Sequence, residues 1–235
     1  MQDFAAAVGL AVKLLATADP DLIEIVSLSL QVSLTALLIA ALIGLPAGAC
    51  LAVGRFRGRS VAIVVVNALM GLPPVVVGLV VYLCLSRAGP FGVLNLLYTP
   101  GAMIIAQTIL VLPIIAALSR QILEDLNREY DEQLRSFGVG WRQSVATLLW
   151  DARASLATVL LAGFGRAIAE VGAVIIVGGN IDHVTRVMTT AIALETSKGN
   201  LALALALGLV LLLIALIVNG AAAVLRQSMP EAARA

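Results

Sequence analysis

Apolar residues run in five long tracts along the 235-residue chain, at residues 23–53, 61–86, 101–119, 155–178 and 201–225, with polar and basic residues gathered between them. A helix needs about 20 mostly apolar residues to cross a bilayer. Each tract therefore predicts a spanning helix, and the whole pattern predicts an all-α, polytopic membrane protein of about five transmembrane helices. The first two tracts exceed a simple crossing, and Pro46, Pro73 and Pro74 mark where they would tilt or kink. Residues 4–15 are too short to span; Lys13 and the acidic exit at Asp19 and Asp21 suit a helix lying at the interface. The expected organisation is an interfacial segment 1–20, a transmembrane domain 21–225 and a short cytoplasmic tail 226–235. No internal repeat is visible, which disfavours inverted-repeat carriers.

Basic residues set the expected orientation. Arg55, Arg57 and Arg59 follow the first tract, Arg120, Arg128, Arg135, Arg142 and Arg153 follow the third, and Arg226 and Arg234 follow the fifth. With five spans these regions share one side and hold ten of the fifteen basic residues. The opposite side keeps Lys13, Arg87, Arg186 and Lys198, so the amino terminus is expected outside and the carboxyl terminus inside.

The longest polar stretch, 120–151, is patterned. Leu126, Tyr130, Leu134, Phe137 and Trp141 recur every three or four residues, which predicts an amphipathic helix with one apolar stripe. Gly138 and Gly140 interrupt it and predict a turn into a second helix. Two roles fit equally: a docking element for a soluble partner, or a face packed on the protein's own spans.

Composition narrows the class. Hydrophobic residues make up 61% of the chain and charged residues 12%, too few charges to coat a soluble globule of this length. A net charge of +1 argues against nucleic-acid binding. Cys50 and Cys84 lie in apolar tracts, and the single His183 has no histidine or cysteine at ligand spacing, so no metal site is expected. Neither Lys13 nor Lys198 sits in a phosphate-cradling glycine-rich loop, so the chain cannot bind ATP in that manner. Acids among the first twenty residues and the lack of a cleavage-type ending argue against a removable signal peptide.

Within the polar stretch, Glu132-Gln133-Leu134-Arg135-Ser136-Phe137-Gly138 resembles the coupling-loop motif of ABC importer permeases, a Glu-Ala-Ala stretch with Gly six residues after the Glu. Gln133 and Leu134 replace the two alanines, and Asp151 stands where a proline usually closes the motif. Gly71-Leu72-Pro73-Pro74-Val75-Val76-Val77-Gly78, Ser86-Arg87-Ala88-Gly89-Pro90-Phe91-Gly92 and Glu170-Val171-Gly172-Ala173 resemble the permeases of the molybdate, tungstate and sulfate group. Val177-Gly178-Gly179-Asn180-Ile181, with the run from Thr189 to Gly199, is most similar to the tungstate type.

That resemblance implies the type I ABC importer permease fold and a chain that is not itself an enzyme. It implies a homodimer in a prokaryotic inner membrane, two ABC ATPase subunits carrying ATP and Mg, and an external oxyanion-binding protein. Tyr130, Glu132, Leu134, Phe137 and Gly138, in a coupling loop 120–153, would engage the ATPase. Arg166 and Glu170, four apart in the fourth tract, would share a helical face, either attracting a dianion to the path or forming a structural ion pair. Asn180, Thr185, Thr189 and Thr190 offer donors for weak oxyanion contact at a path or gate, or belong to a loop folded back on the spans. Arg186 and Lys198 would attract the anion or its binding protein, or simply be solvated.

Asn67, Gln107 and Asn219 are expected to bond between helices, and Pro113 to shape the third span. His183 suits a surface loop. A molybdate or sulfate permease is the nearest alternative. An intramembrane enzyme would need paired carboxylates, metal ligands or a Ser–His set at membrane depth. A proton-driven carrier would leave the patterned stretch 120–151 without a purpose.

Overall fold

The computed structural model describes residues 20–136 and 138–227, with residues 5, 8–10, 12, 13, 16 and 17 before them; the side chains of 134, 135 and 221–227 fall outside that description. Among the described residues there are helices and turns and no strand. The helices are α1 (Pro20–Val53), α2 (Arg59–Leu69), α3 (Pro74–Leu85), α4 (Pro100–Ser136), α5 (Trp141–Asp151), α6 (Arg153–Ile168), α7 (Gly172–Gly178), α8 (Met188–Ser197) and α9 (Leu201–Gln227), with a 3-10 turn at Gly92–Leu94. Residues 5, 8–10, 12, 13 and 16 of the expected interfacial segment are helical, and its remaining residues lie outside the described ones, Thr17 and Pro20 apart.

Three helices are long and apolar enough to cross a membrane, α1, α4 and α9, or up to five if the broken pairs α2–α3 and α5–α6 each count as one span. Pro20 begins α1 with Asp21 in its first turn, where a fixed φ and a negative charge both suit the end of the helix. Two tracts depart from the expected single helices. The second stops at Leu69 and restarts at Pro74, because Gly71 and the Pro73-Pro74 pair cannot continue a helix. The fourth ends at Ile168 and restarts at Gly172, so Arg166 and Glu170 do not share one helical face. A third departure joins what the sequence separated: α4 runs unbroken from Pro100 to Ser136 through Pro113, so the amphipathic segment continues the third span.

The chain forms two compact units. Unit 1 comprises residues 1–36, 73–107 and 167–219. Here α3 buries Val77, Gly78, Val81 and Leu85, a stripe at helical spacing, while α7 buries Ala173, Val174, Val177 and Gly178. The two helices approach closely: a Cβ on Gly78 would lie 2.8 Å from the Ala173 Cα. The remaining face of α3 exposes Val75, Val76, Leu79, Val80 and Leu83, an apolar surface suited to lipid. Gln107 is buried, and its Nε2 donates to the Ala167 carbonyl at 3.0 Å, the expected bond from one helix to another. Asn219 instead donates to Ala215 in its own helix, and Asn67 is exposed.

Unit 2 comprises residues 37–72, 108–166 and 220–235. Ala49 and Ala52 of α1, Leu123 of α4, Leu148 of α5, Ala152 and Leu156 form its core cluster. The small residues of α1 allow α4 to come close, and Leu148 fills the space between.

Candidate functional site

The polar end of α4 in unit 2 is organised around Glu124, whose side chain is only 18% exposed. Arg59 reaches it at 3.2 Å, Arg128 at 3.3 Å, and Arg120 bonds it from one turn earlier. Arg59 also donates from Nε to the Leu51 carbonyl at 2.7 Å, tying the end of α1 to α4 through one guanidinium. Arg55 pairs with Asp131 at 3.3 Å further along.

Beyond this network the predicted stripe divides. Leu126 and Tyr130 pack against the unit 2 core cluster. Leu134 is helical with its side chain outside the description, Phe137 lies outside the described residues, and Glu132 is exposed. Gly138 takes φ +67°, the left-handed conformation that ends helices and that glycine adopts without strain. After that turn the stripe's phase is lost, and Trp141 is 55% exposed at the start of α5. Leu148 and Ser144 anchor α5 inward, while Trp141, Arg142 and Trp150 face out. The Arg153 guanidinium sits 4.9 Å over the Trp150 ring and donates to the Trp150 carbonyl at 2.7 Å, which fixes the corner where α5 and α6 meet at 74°. The result is a braced helix pair with two exposed tryptophans, one at each end of α5. The sequence reading missed Trp150, and its spacing of nine from Trp141, about two and a half helical turns, gave no periodic signal.

In unit 1 the residues 167–190 come together differently from expectation. Glu170 follows the end of α6, is 3% exposed, and its Oε1 accepts the Ala173 N–H at 3.0 Å at the start of α7. A carboxylate there satisfies a free helix donor and complements the helix dipole. The Thr189 hydroxyl donates to the Glu170 carbonyl at 2.8 Å. Thr185 donates to the Gly178 carbonyl at 2.6 Å and accepts the Ile181 N–H at 3.0 Å, while Thr190 bonds the Val187 backbone both ways. All three threonines are buried, and these bonds brace the turn between α7 and α8. Asn180 has φ +51° and a buried Oδ1 without a partner. Arg166 is half-buried at the end of α6. Arg186 pairs with Asp182 at 2.6 Å and Lys198 with Glu195 at 2.8 Å, an arrangement that holds the Glu195 carboxyl below its usual range. His183 is exposed, with Nδ1 2.8 Å from the Glu24 carboxylate.

A further group of donors gathers in unit 1. Tyr82, Ser86, Arg87, Asn95 and Tyr98, with Gly92, line a cavity of about 470 Å³. The Tyr82 and Tyr98 rings meet edge to face at 6.3 Å, and a hydrogen bond with Tyr82 raises the Tyr98 pKa, so the phenol stays protonated. Tyr98 has φ +62°, strained for an aromatic residue, and is held by its N–H to the Val177 carbonyl at 2.9 Å. Ser86 spends its hydroxyl on the Leu83 carbonyl at 3.0 Å, and Asn95 gives one amide hydrogen to the Val93 carbonyl at 3.3 Å. Arg87, one of the two phenols and the second Asn95 amide hydrogen are therefore the donors this cavity can offer to an oxyanion, and none of these side chains carries negative charge. Only Arg87 among them carries a charge that sequence reasoning could notice.

Comparison with known proteins decides the family. Residues 27–230 match the family described as binding-protein-dependent transport system inner membrane component. The chain belongs to this family. The permease is 42% identical to the tungstate uptake system permease protein of Peptoclostridium acidaminophilum, over 89% of this chain and 92% of that one. It is 43% identical to a probable anion ABC transporter permease protein of Haloferax volcanii, again over 89% and 92%. A second tungstate uptake system permease protein, from Campylobacter jejuni, is 40% identical over 70% of this chain and 69% of its own. The permease is thus a multi-pass membrane component of a transport system, with the all-α type I fold that the tracts and the resemblance predicted.

Proposed function

We propose that this chain is the permease subunit of an ATP-driven importer of tungstate. The observation that carries the reading is its similarity, along nearly the full length of both chains, to the tungstate permease of Peptoclostridium acidaminophilum. The donor-lined cavity of unit 1 supports it: Arg87, a phenol and the second amide hydrogen of Asn95 contact a tetrahedral dianion while leaving it free to move on, as conduction requires. The braced turn 178–190 shapes the gate, with Asn180 available to the anion and Thr185, Thr189 and Thr190 setting the backbone. Arg166, near the end of α6, and Glu170, just after that helix, are further path or gate residues in this reading.

Two copies of the chain enclose the path, and an external binding protein delivers the anion. Two ATPase subunits, which hold ATP and Mg, dock on the segment from Tyr130 through Glu132, Leu134, Phe137 and Gly138 and on the exposed face of α5. The Arg59–Glu124 network braces α4 before that segment and Leu148 braces α5 after it, which lets the two helices transmit ATPase closure. The basic residues around α1–α2 and α4–α5 face the cytoplasm, with the amino terminus outside. The test is ATP hydrolysis in liposomes holding the permease, its ATPase and the loaded binding protein. Tungstate should stimulate turnover more than molybdate or sulfate. Stimulation by no tetrahedral oxyanion defeats the substrate, and oxyanion flux through the permease alone defeats the ATP-driven reading.

A further inference from the structure

The Glu124 network has an unexplained excess of positive charge. A cavity of about 580 Å³ in unit 2 is lined by Arg55, Arg57, Arg59 and Arg128, with Glu124 and Asn127. Glu124 is shared among Arg59, Arg120 and Arg128, Asp131 takes Arg55, and Asp125 lies 3.8 Å from Arg128. Among the described residues, five guanidinium groups thus gather around three carboxylates. Arg57 makes no ion pair with any described residue, and the buried Nε of Arg120 has no hydrogen-bond partner.

The surroundings of the cavity are apolar on one side. Phe56, in its lining, is 51% exposed. Directly after Arg59, helix α2 buries no residue at all and exposes Val61, Val64 and Val65, at 66%, 65% and 48%, on one helical face. A cationic cavity continuous with an unpartnered apolar strip matches an amphiphile with an anionic head and hydrocarbon tails. Basic pockets at the membrane surface hold phospholipid head groups in this way.

We propose that this cavity is a binding site for an anionic phospholipid, its phosphate held by Arg55, Arg57 and Arg128 and its acyl chains laid along α2. Arg59 is committed to the Leu51 carbonyl and Glu124, and forms the floor. The inference depends on the chain lying in a membrane and not on the transported anion. The bound head group would bridge α2 and α4 beside the proposed coupling segment, so leaflet charge would tune transport.

The full-length chain, purified in a neutral detergent, tests it by native mass spectrometry and thermal melting. Phosphatidylglycerol should be retained and should raise the melting temperature, and phosphatidylcholine should do neither. In the Arg55→Gln/Arg57→Gln variant the half-effect concentration should rise about twenty-fivefold, about fivefold for each guanidinium removed. Lys198→Gln, at the exposed end of α8 in unit 1, should leave it unchanged. Should the double variant fail to fold, Arg57→Gln alone gives the fivefold step, because no described ion pair depends on it. Equal stabilisation of wild type and variant by phosphatidylglycerol overturns the site. Equal stabilisation by inorganic phosphate without lipid overturns the lipid as its occupant.

Discussion

Gly48 of α1 lies so close to Ser119 of α4 that a Cβ on it would fall 2.1 Å from the Ser119 Oγ and 2.7 Å from the Ala116 carbonyl. The hydroxyl can rotate away and the backbone carbonyl cannot. Gly48→Val should therefore lower stability by about 1–3 kcal/mol, the usual cost of overpacking a filled interior. Adding Ser119→Ala should recover only part of the loss, since the carbonyl contact remains. Thermal melting in detergent reads both, and an unchanged melting temperature for Gly48→Val would sink the close-approach argument.

Two leucines in the proposed coupling segment should fail in different ways. Leu148 is fully buried against Ala49, Ala52 and Leu123, so Leu148→Ala should cost about 2–5 kcal/mol and lower the yield of folded permease. Leu134→Asp should leave the permease in the membrane and abolish co-purification of the ATPase. The two effects separate seat from surface. Retained ATPase binding by a folded Leu134→Asp protein would return the stripe to a purely internal packing role.

The existence of the helices was legible in the tracts because membrane solvation demands long apolar runs. Their breaks were less so. Pro73-Pro74 announced one, whereas the break between Ile168 and Gly172 depends on Glu170 turning its carboxylate onto the Ala173 N–H, a contact that hydropathy cannot register. The stripe from Leu126 to Tyr130 was readable by period, yet it could not be extended past Gly138, where the left-handed turn resets the phase. The donor cavity was invisible for another reason. Tyr82 and Tyr98 are sixteen residues apart, and their meeting depends on strained backbone at Tyr98 that the fold of unit 1 imposes.

The turn between α7 and α8 gives a third prediction. Thr185 is 1% exposed and its hydroxyl both donates to Gly178 and accepts from Ile181. Thr185→Val keeps the shape and leaves two buried backbone groups without that partner, a cost of about 1–3 kcal/mol. Thr185→Ser should restore most of it. If the hydroxyl instead served the anion directly, Thr185→Val would reduce tungstate-stimulated turnover with the melting temperature unchanged, and the bracing role would fail.

Stability should also respond to pH through His183. Its ring bonds the Glu24 carboxylate at 2.8 Å, and that bond, followed by the charges of Glu24, Asp182 and Asp21, raises its pKa above the ordinary 6.5. A raised folded-state pKa means that the charged ring is favoured by folding. The stabilisation is therefore fully present below pH 6.5 and is lost as pH rises through the elevated value. His183 has φ +56°, so asparagine, which tolerates the left-handed conformation, is the appropriate replacement. Melting temperatures of wild type and His183→Asn should differ most near about pH 5.5 and converge toward about pH 8.5. Glu24→Gln should shrink that pH dependence without removing it, because Asp182 and Asp21 still favour the charged ring. A difference between wild type and His183→Asn that grows with rising pH would mean that the ring is bound neutral, contrary to the geometry.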